Sequence, residues 1–365
     1  MTIKSVAIIG AGTMGAGIAI TAAGAGMPVY LADISMDAIA AAQAGAAKFF
    51  TRQAEKGRLD AAGAEAATAL VRGGTDLDPV SGADLVIEAV FEDLDIKAET
   101  FGRLNPLLSP DAVVATNTSC LRVADLAKSI TDPSRFLGMH YFSPAAVNPL
   151  VEVVRGPETA AAVVDRVLAY CAATGKKALP CHDQNGFAVN RFFCPYTNEA
   201  ARLVDEGVGT PAQIDRVARE ALGVAAGPFF VMNIIKPRIN LHAIRNLAPL
   251  GPFYAPADAM AKVGDAEESW DLGEDKVDPA ADKKIAERLM AATFLPVLEE
   301  LDEGVAAPEA IDMGADMALK FGKPPCALMD ELGPDEVARL VEPLCAAHGV
   351  PVPKSLDRAG HLRAA

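Results

Sequence analysis

The chain has 365 residues, 51% of them hydrophobic, and a formal net charge of −15. That length suits two or three domains, and the acidic balance excludes a nucleic-acid partner, whose phosphates need a basic surface. No apolar run long enough for a membrane span appears, no charged-then-apolar leader precedes the first apolar segment, and the six cysteines show neither CxxC nor metal spacing. The expectation is a cytoplasmic protein with reduced thiols, no membrane contact and no metal.

The first apolar segment, residues 3–9, reads as a strand that runs into Gly10-x-Gly12-x-x-Gly15 and then into a helix-forming run of Ala, Ile and Met. Strand, glycine turn and helix in that order form the context of a dinucleotide fingerprint. The first glycine permits the tight turn, the second lets the backbone approach a pyrophosphate, and the third lets helix and strand pack closely. Thr13 and Met14 open the helix whose partly positive N-terminus faces the phosphates. A second strand, 29–32, ends at Asp33, placed to bind ribose hydroxyls and to repel a 2′-phosphate. NAD is therefore the expected cofactor.

Between residues 35 and 73 an Ala-rich stretch with charges at helical spacing predicts a helix pair standing off the sheet. The AEKGRLD turn within it offers Lys56 and Arg58 as a basic patch for an anionic ligand, with a solvated helix end as the plainer account. Further short apolar segments at 85–88, 113–115, 136–139, 150–154 and 176–179 alternate with helical stretches. Such alternation predicts a mainly parallel, doubly wound sheet of Rossmann type with helices on both faces.

After Asp183 helical periodicity takes over. Residues 201–215 (ARLVDEGVGTPAQID) recur as 299–312 (EELDEGVAAPEAID) at an offset of 97, which predicts two copies of one helical unit joined by a Pro- and Gly-rich stretch near 248–280. The organisation read from the sequence is α/β followed by all-α: residues 1–182 as the nucleotide-binding domain, 183–277 as the first helical repeat and 278–365 as the second.

Two stretches carry chemistry: Thr116–Ser119 in ATNTSC, and residues 138–152 in GMHYFSPAAVNPLVE. They bring Ser119, His140 and Glu152 to the ends of different strands, and Asn190 follows at the start of the helical half. A histidine accepts a hydroxyl proton near neutrality, and a carboxylate on its second nitrogen fixes the tautomer and stabilises the imidazolium. Beside a nicotinamide, such a dyad suits alcohol oxidation. His182, His242 and His348 have no partner at a recognisable spacing and read as structural. Asp205-Glu206 and Asp302-Glu303 precede glycines in both repeats and read as helix-end chemistry. Trp270 reads as the anchor of an acidic linker.

With GAGTMGAGIA, IEAVFEDLDIK, NTSC, GMHYFSP, LVEVV and GFAVNR in this order, the chain resembles the 3-hydroxyacyl-CoA dehydrogenase family over nearly its whole length. The resemblance implies His140 as base, Glu152 as its partner, Ser119 as a hydrogen-bonding group for the substrate oxygen and Asn190 as a polar stabiliser near the thioester. It also implies Glu92 and Lys97 at the nucleotide alongside Asp33, with Asn117 of NTSC a further candidate contact. The activity expected is reversible oxidation of an (S)-3-hydroxyacyl-CoA to the 3-oxoacyl-CoA. The same chemistry on an acyl carrier protein thioester or a free hydroxy acid is the alternative, and a nucleotide-binding sensor without turnover is the rival from another class.

The chain departs from the family pattern at Cys120, Ser143, Asn148 and Asn185. Asn148 in place of an apolar residue suggests a short or polar acyl group, because an unpaired buried amide is unfavourable beside a long alkyl chain. The segment 233–260 adds Lys236, Arg238 and Arg245, which read as solvated or salt-bridged helix charges. Single-repeat relatives pair helical domains across a dimer, so two repeats in one chain allow a monomer as well as a homodimer.

Overall fold

The computed structural model describes residues 2–363. The chain divides into two compact units, Met1–Asp183 and Gln184–Ala365. The first is built on one sheet: β1 (Val6–Ile9), β2 (Val29–Ala32), β3 (Val71–Gly74), β4 (Leu85–Glu88), β5 (Val113–Thr116), β6 (Phe136–Tyr141), β7 (Leu150–Arg155) and β8 (Lys177–His182). Their order is β3-β2-β1-β4-β5-β6-β7-β8. Every neighbouring pair is parallel except β6 with β7. Runs such as VAII and LVIE are buried along their whole length, as strands covered on both faces require. Chain direction across the sheet reverses at β1, which lies between β2 and β4 and so marks the ligand crevice at its carboxyl end.

Helices α1 (Thr13–Gly24), α2 (Met36–Glu55), α3 (Ala61–Ala69), α4 (Leu94–Leu104), α5 (Val123–Ala127) and α6 (Ala161–Ala173) connect the strands. The expected helix pair is present as α2 and α3, but it does not stand off the sheet. Ile39, Ala42, Ala46 and Phe50 of α2 lie in the same buried core as Ile8, Val29 and Leu31. These four positions form one helical stripe, which the surrounding alanines conceal in the sequence. Strand β3 was not expected, since VRGG offers one apolar residue and two glycines, and its pairing with β2 is tertiary in origin.

The second unit contains α7 (Asn190–Asp205), α8 (Pro211–Leu222), α9 (Pro228–Ile235), α10 (Pro237–Leu247), α11 (Asp258–Asp265), α12 (Pro279–Glu303), α13 (Pro308–Leu319), α14 (Pro325–Leu332) and α15 (Pro334–His348). Helices α8 and α9 recur as α13 and α14 with identical lengths and an offset of 97 residues. Asp215 accepts the backbone N–H groups of Phe229 and Phe230 at 2.8 and 3.0 Å, and Asp312 accepts those of Cys326 and Ala327 at 2.8 and 2.9 Å. Each carboxylate thus satisfies two donors that a helix N-terminus leaves open.

The copies also meet reciprocally. Ala225 N–H donates to the Lys320 carbonyl at 3.1 Å while Gly322 N–H donates to that of Gly223 at 3.0 Å. Arg191 pairs with Glu303 at 2.7 Å as Arg288 pairs with Glu206 at 3.0 Å. A local two-fold relation accounts for both pairs, since each partner maps on the other by the same offset.

Glu206 and Glu303 thus serve Arg288 and Arg191 and not their own helix ends, whereas Asp302 and Arg245 keep their plainer reading. Asp302 accepts the backbone N–H groups of Lys354 and Ser355 at 2.7 and 2.8 Å, and Arg245 forms a two-pronged pair with Asp265 at 2.8 and 2.7 Å. Trp270 stacks edge-on against Phe229 with ring centres 4.8 Å apart, and Asn233 brackets its backbone. Among the described residues no helix is long and apolar enough to cross a membrane.

Candidate active site

At the carboxyl end of β1 and β2 lies a cavity of about 730 Å³ lined by Gly10, Gly12, Thr13, Met14 and Asp33. Gly10 has φ +108° and its Cα faces the Ala89 carbonyl so closely that an added Cβ would sit 2.5 Å from that oxygen. At Gly15 an added Cβ would lie 1.8 Å from the Gly10 carbonyl oxygen, so α1 and β1 close on each other only with glycine there. Gly12 differs: a Cβ would meet nothing within 4 Å, and it borders the cavity. That open approach suits a pyrophosphate. Helix α1 has Gly12 as N-cap, no side-chain cap and no acidic residue in its first turn, so its N–H groups are turned to an anion.

Asp33 accepts the Ala11 N–H at 2.7 Å with one oxygen and the Ser35 N–H at 2.9 Å with the other. It therefore braces the glycine turn, and each oxygen keeps a lone pair for a ribose hydroxyl. The residues present fit a dinucleotide. Apolar walls come from Ile34, Phe91 and Ile96, which are 89%, 70% and 43% exposed, with Arg103 beside them. No local motif announces these side chains in the sequence.

His140 and Glu152 face each other directly across the antiparallel pair β6/β7. The imidazole Nδ1 lies 2.6 Å from Glu152 Oε2, with the histidine 6% and the glutamate 0% exposed. With the carboxylate ionised, Nδ1 carries the proton and Nε2 is the basic nitrogen. Directly opposed residues on adjacent strands share a sheet face, which turns a sequence separation of 12 into one bond.

Ser119 follows β5 and is held by Glu92. Glu92 Oε1 accepts the Thr118 hydroxyl at 2.5 Å, the Ser119 N–H at 2.8 Å and the Ser119 hydroxyl at 3.3 Å. Lys97 is 1% exposed and sits between two carboxylates, Glu88 at 2.6 Å and Glu92 at 3.2 Å. Glu88 in turn accepts the Thr116 hydroxyl at 2.7 Å. Burial pushes the Glu92 carboxyl up, but the Lys97 charge and the Thr118 and Ser119 hydrogen bonds outweigh it and hold the group below the ordinary glutamate range. Asn117 Oδ1 accepts the Tyr141 N–H at 2.9 Å, tying the Ser119 loop to the strand just past His140.

Lys56 caps the C-terminus of α2 on the surface and does not line the glycine-turn cavity. Asn190 is the first residue of α7 in the second unit. Asn148 turns its side-chain oxygen to the Leu150 N–H at 3.1 Å, so it serves as a local turn device. Cys120 is buried, with its thiol 3.4 Å from Glu92 Oε1. Of the buried partners, Glu88 reads in the sequence only as a strand end, and Thr116 and Thr118 lie in the stretch singled out there without roles of their own.

Fold and glycine turn together define a dinucleotide-binding α/β protein with an added helical unit. Residues 5–184 match the model of the 3-hydroxyacyl-CoA dehydrogenase NAD-binding domain, and residues 186–271 that of the same family's C-terminal domain. The chain belongs to the 3-hydroxyacyl-CoA dehydrogenase family, and its first unit is the NAD-binding domain. It is 38% identical over 240 residues to 3-hydroxyadipyl-CoA dehydrogenase of Escherichia coli K12, covering 66% of this chain and 50% of that protein. It is 40% identical over 235 residues to a probable 3-hydroxyacyl-CoA dehydrogenase of Caenorhabditis elegans, covering 62% of this chain and 75% of that protein. The matches thus span about half the length of the first relative and three quarters of the second. A solved 3-hydroxybutyryl-CoA dehydrogenase of Escherichia coli K12 superposes with a TM-score of 0.89 at 25% identity, over 100% of this chain and 99% of that one.

Proposed function

We propose that the protein catalyses the reversible NAD-dependent oxidation of a short (S)-3-hydroxyacyl-CoA to the 3-oxoacyl-CoA, with His140 and Glu152 as the general-base dyad. The observation that carries the reading is the buried 2.6 Å contact between His140 Nδ1 and Glu152 in a chain of this family. NAD, when bound, is the hydride acceptor. His140 Nε2 takes the proton of the substrate hydroxyl, and the Glu152 carboxylate stabilises the imidazolium that forms. Ser119 turns its hydroxyl hydrogen toward the substrate oxygen, and Glu92 fixes the Ser119 backbone while that hydroxyl rotates. Asn190 is assigned to the thioester end. Glu92, Lys97 and Asn117 are assigned to support of the nucleotide side, and Lys56 to the anionic end of the thioester.

Support for a short acyl group comes from relatives named for hydroxybutyryl and hydroxyadipyl substrates, and not from Asn148, whose side-chain oxygen is engaged by Leu150. The two helical repeats are read as tandem copies of one domain, and their reciprocal contacts support a monomer; a concentration-independent dimer in light scattering would contradict it. The deciding experiment is NADH oxidation with acetoacetyl-CoA beside a longer 3-oxoacyl-CoA and a His140→Ala control. Activity lost by about two orders of magnitude or more in the control, with NADH still bound, is the expected result. Silence on both CoA esters with NADH bound overturns the proposal in favour of a carrier-protein or free-acid substrate.

A further inference from the structure

Thr118, Ser119 and Cys120, consecutive in the chain, all turn donors to a single carboxylate oxygen. Glu92 Oε1 accepts the Thr118 hydroxyl at 2.5 Å, the Ser119 N–H at 2.8 Å and the Cys120 N–H at 3.2 Å. The Ser119 hydroxyl stands at 3.3 Å from the same oxygen and the Cys120 thiol at 3.4 Å. A carboxylate offers about four lone-pair sites over its two oxygens, so these donors compete. The Thr118 hydroxyl has the shortest contact, and the Ser119 hydroxyl has the longest of those made through nitrogen or oxygen.

Thr118 owes that advantage to its surroundings. Its side chain is buried, and its Oγ1 accepts the Leu121 N–H at 2.9 Å and the Cys120 N–H at 3.4 Å. With its lone-pair side taken, its hydrogen points to Glu92. Glu92 in turn keeps its charge, because Lys97 stands 3.2 Å from Oε2 and holds the carboxyl below the ordinary glutamate range against the effect of burial. Hydrogen bonds to an ionised acceptor are about twice as strong as neutral ones. Without the Thr118 donor, the Ser119 hydroxyl is the next hydroxyl in line for that oxygen.

On the reading proposed above, which this inference rests on, the Ser119 hydrogen is needed elsewhere. In the reductive direction the 3-oxo carbon receives the hydride of NADH, and its oxygen receives the proton of His140 Nε2. Charge develops on that oxygen before the proton arrives, and a donor aimed at it speeds the step. A Ser119 hydroxyl committed to Glu92 is not aimed there. We propose that Thr118 is a positioning residue: its hydroxyl occupies Glu92 Oε1 and so leaves the Ser119 hydroxyl hydrogen for the substrate oxygen.

The test is steady-state NADH oxidation with acetoacetyl-CoA on Thr118→Val, Thr118→Cys and Thr118→Ser, each made alone and on Ser119→Ala. NADH affinity is read by fluorescence titration and folding by thermal melt. Valine keeps the shape and removes the donor, cysteine offers a weak donor and serine a full one. Turnover should fall about tenfold or more with valine, less with cysteine and least with serine, while KM and NADH affinity stay within about twofold of the parent. On Ser119→Ala the valine change should lower turnover by less than about twofold, because Thr118 acts through a hydroxyl that is no longer there. If the valine variant fails to fold, the cysteine variant makes the same comparison in both backgrounds. Parent turnover in the valine and cysteine variants, or an equal loss with and without the Ser119 hydroxyl, would overturn the assignment of Thr118 alone. Silence of the parent with NADH bound, or parent turnover in Ser119→Ala, would overturn the reading of the site and this inference with it.

Discussion

Replacing Glu152 with Gln tests the dyad with almost no change in shape. Glu152 is 0% exposed and its oxygen lies 2.6 Å from His140 Nδ1, so its charge acts on the imidazolium at close range and away from water. Two unit charges with centres about 4 Å apart interact by about 4 kcal/mol at an effective dielectric constant near 20. At about 1.4 kcal/mol per decade, losing that stabilisation slows proton transfer by about three orders of magnitude. The amide can also accept the Nδ1 proton or donate to that nitrogen, so the tautomer is no longer fixed. Turnover measured as NADH oxidation with acetoacetyl-CoA should therefore fall by about a thousandfold, while NADH affinity, read by fluorescence titration, stays near the parent value. A thermal melt guards against a folding defect. A loss smaller than about tenfold with a folded protein, or a matching loss of NADH affinity, would refute the assignment of Glu152 as partner of the base.

Asp33→Ala should weaken NAD and relax discrimination against NADP, because it removes both the proposed ribose acceptor and the brace on the Ala11 N–H; an unchanged cofactor preference in parallel titrations would place the selectivity elsewhere. Glu92 has a folded pKa below its unfolded value, so it contributes stability that is fully present above about pH 4.3 and is lost as pH falls through the lower folded value. Glu92→Gln should flatten the acid limb of a denaturation series below that pH, and an acid limb as steep as the parent's would contradict this. Burial pushes the thiols of Cys171 and Cys194 up to about 12 and that of Cys345 up to about 11. At pH 8 these three should resist a disulfide reagent in the native protein and react after unfolding; rapid native labelling of any of them, mapped by mass spectrometry, would show that its surroundings open.

The parts that were legible in the sequence are those whose physics is local. A glycine turn needs a strand before it, a helix after it and no side chain at the phosphate, and residues 3–24 state all three. The helical repeat was legible because Asp215 and Asp312 each serve a helix start in the same way, which preserves the surrounding pattern. The Lys97 network was not. In EDLDIK, charges beside a helix start resemble an ordinary solvated N-terminus, and Asp93 does cap α4. Only the fold reveals that Lys97 points inward between Glu88 and Glu92. Strand β3 was hidden for the opposite reason: its residues have little strand preference, and partner β2 supplies what the sequence does not.

The strand ends explain how one unit can hold the glycine turn and the proposed base, His140, in fixed relation. Glu88 ends β4 beside β1, which carries the glycine turn, and its carboxylate reaches Thr116 at the end of β5 and Lys97 on α4. Lys97 passes the contact to Glu92, which accepts the Thr118 hydroxyl and the Ser119 and Cys120 N–H groups, and Asn117 beside it accepts the N–H of Tyr141, next to His140. On the other side of the crevice, Thr21 of α1 donates to the Ala145 carbonyl, and Lys176 donates to the same oxygen and to that of Asn148 at 2.6 and 2.7 Å. The loop joining the two dyad strands is therefore tied to the helix whose N-terminus faces the cofactor. A buried chain of this kind is costly to leave half satisfied, and once satisfied it fixes side chains to within the tolerance proton and hydride transfer require. The acids, the lysine and the hydroxyls of this chain of contacts are given no part in the proposed reaction; they make the distance between the glycine turn and His140 a property of the sheet.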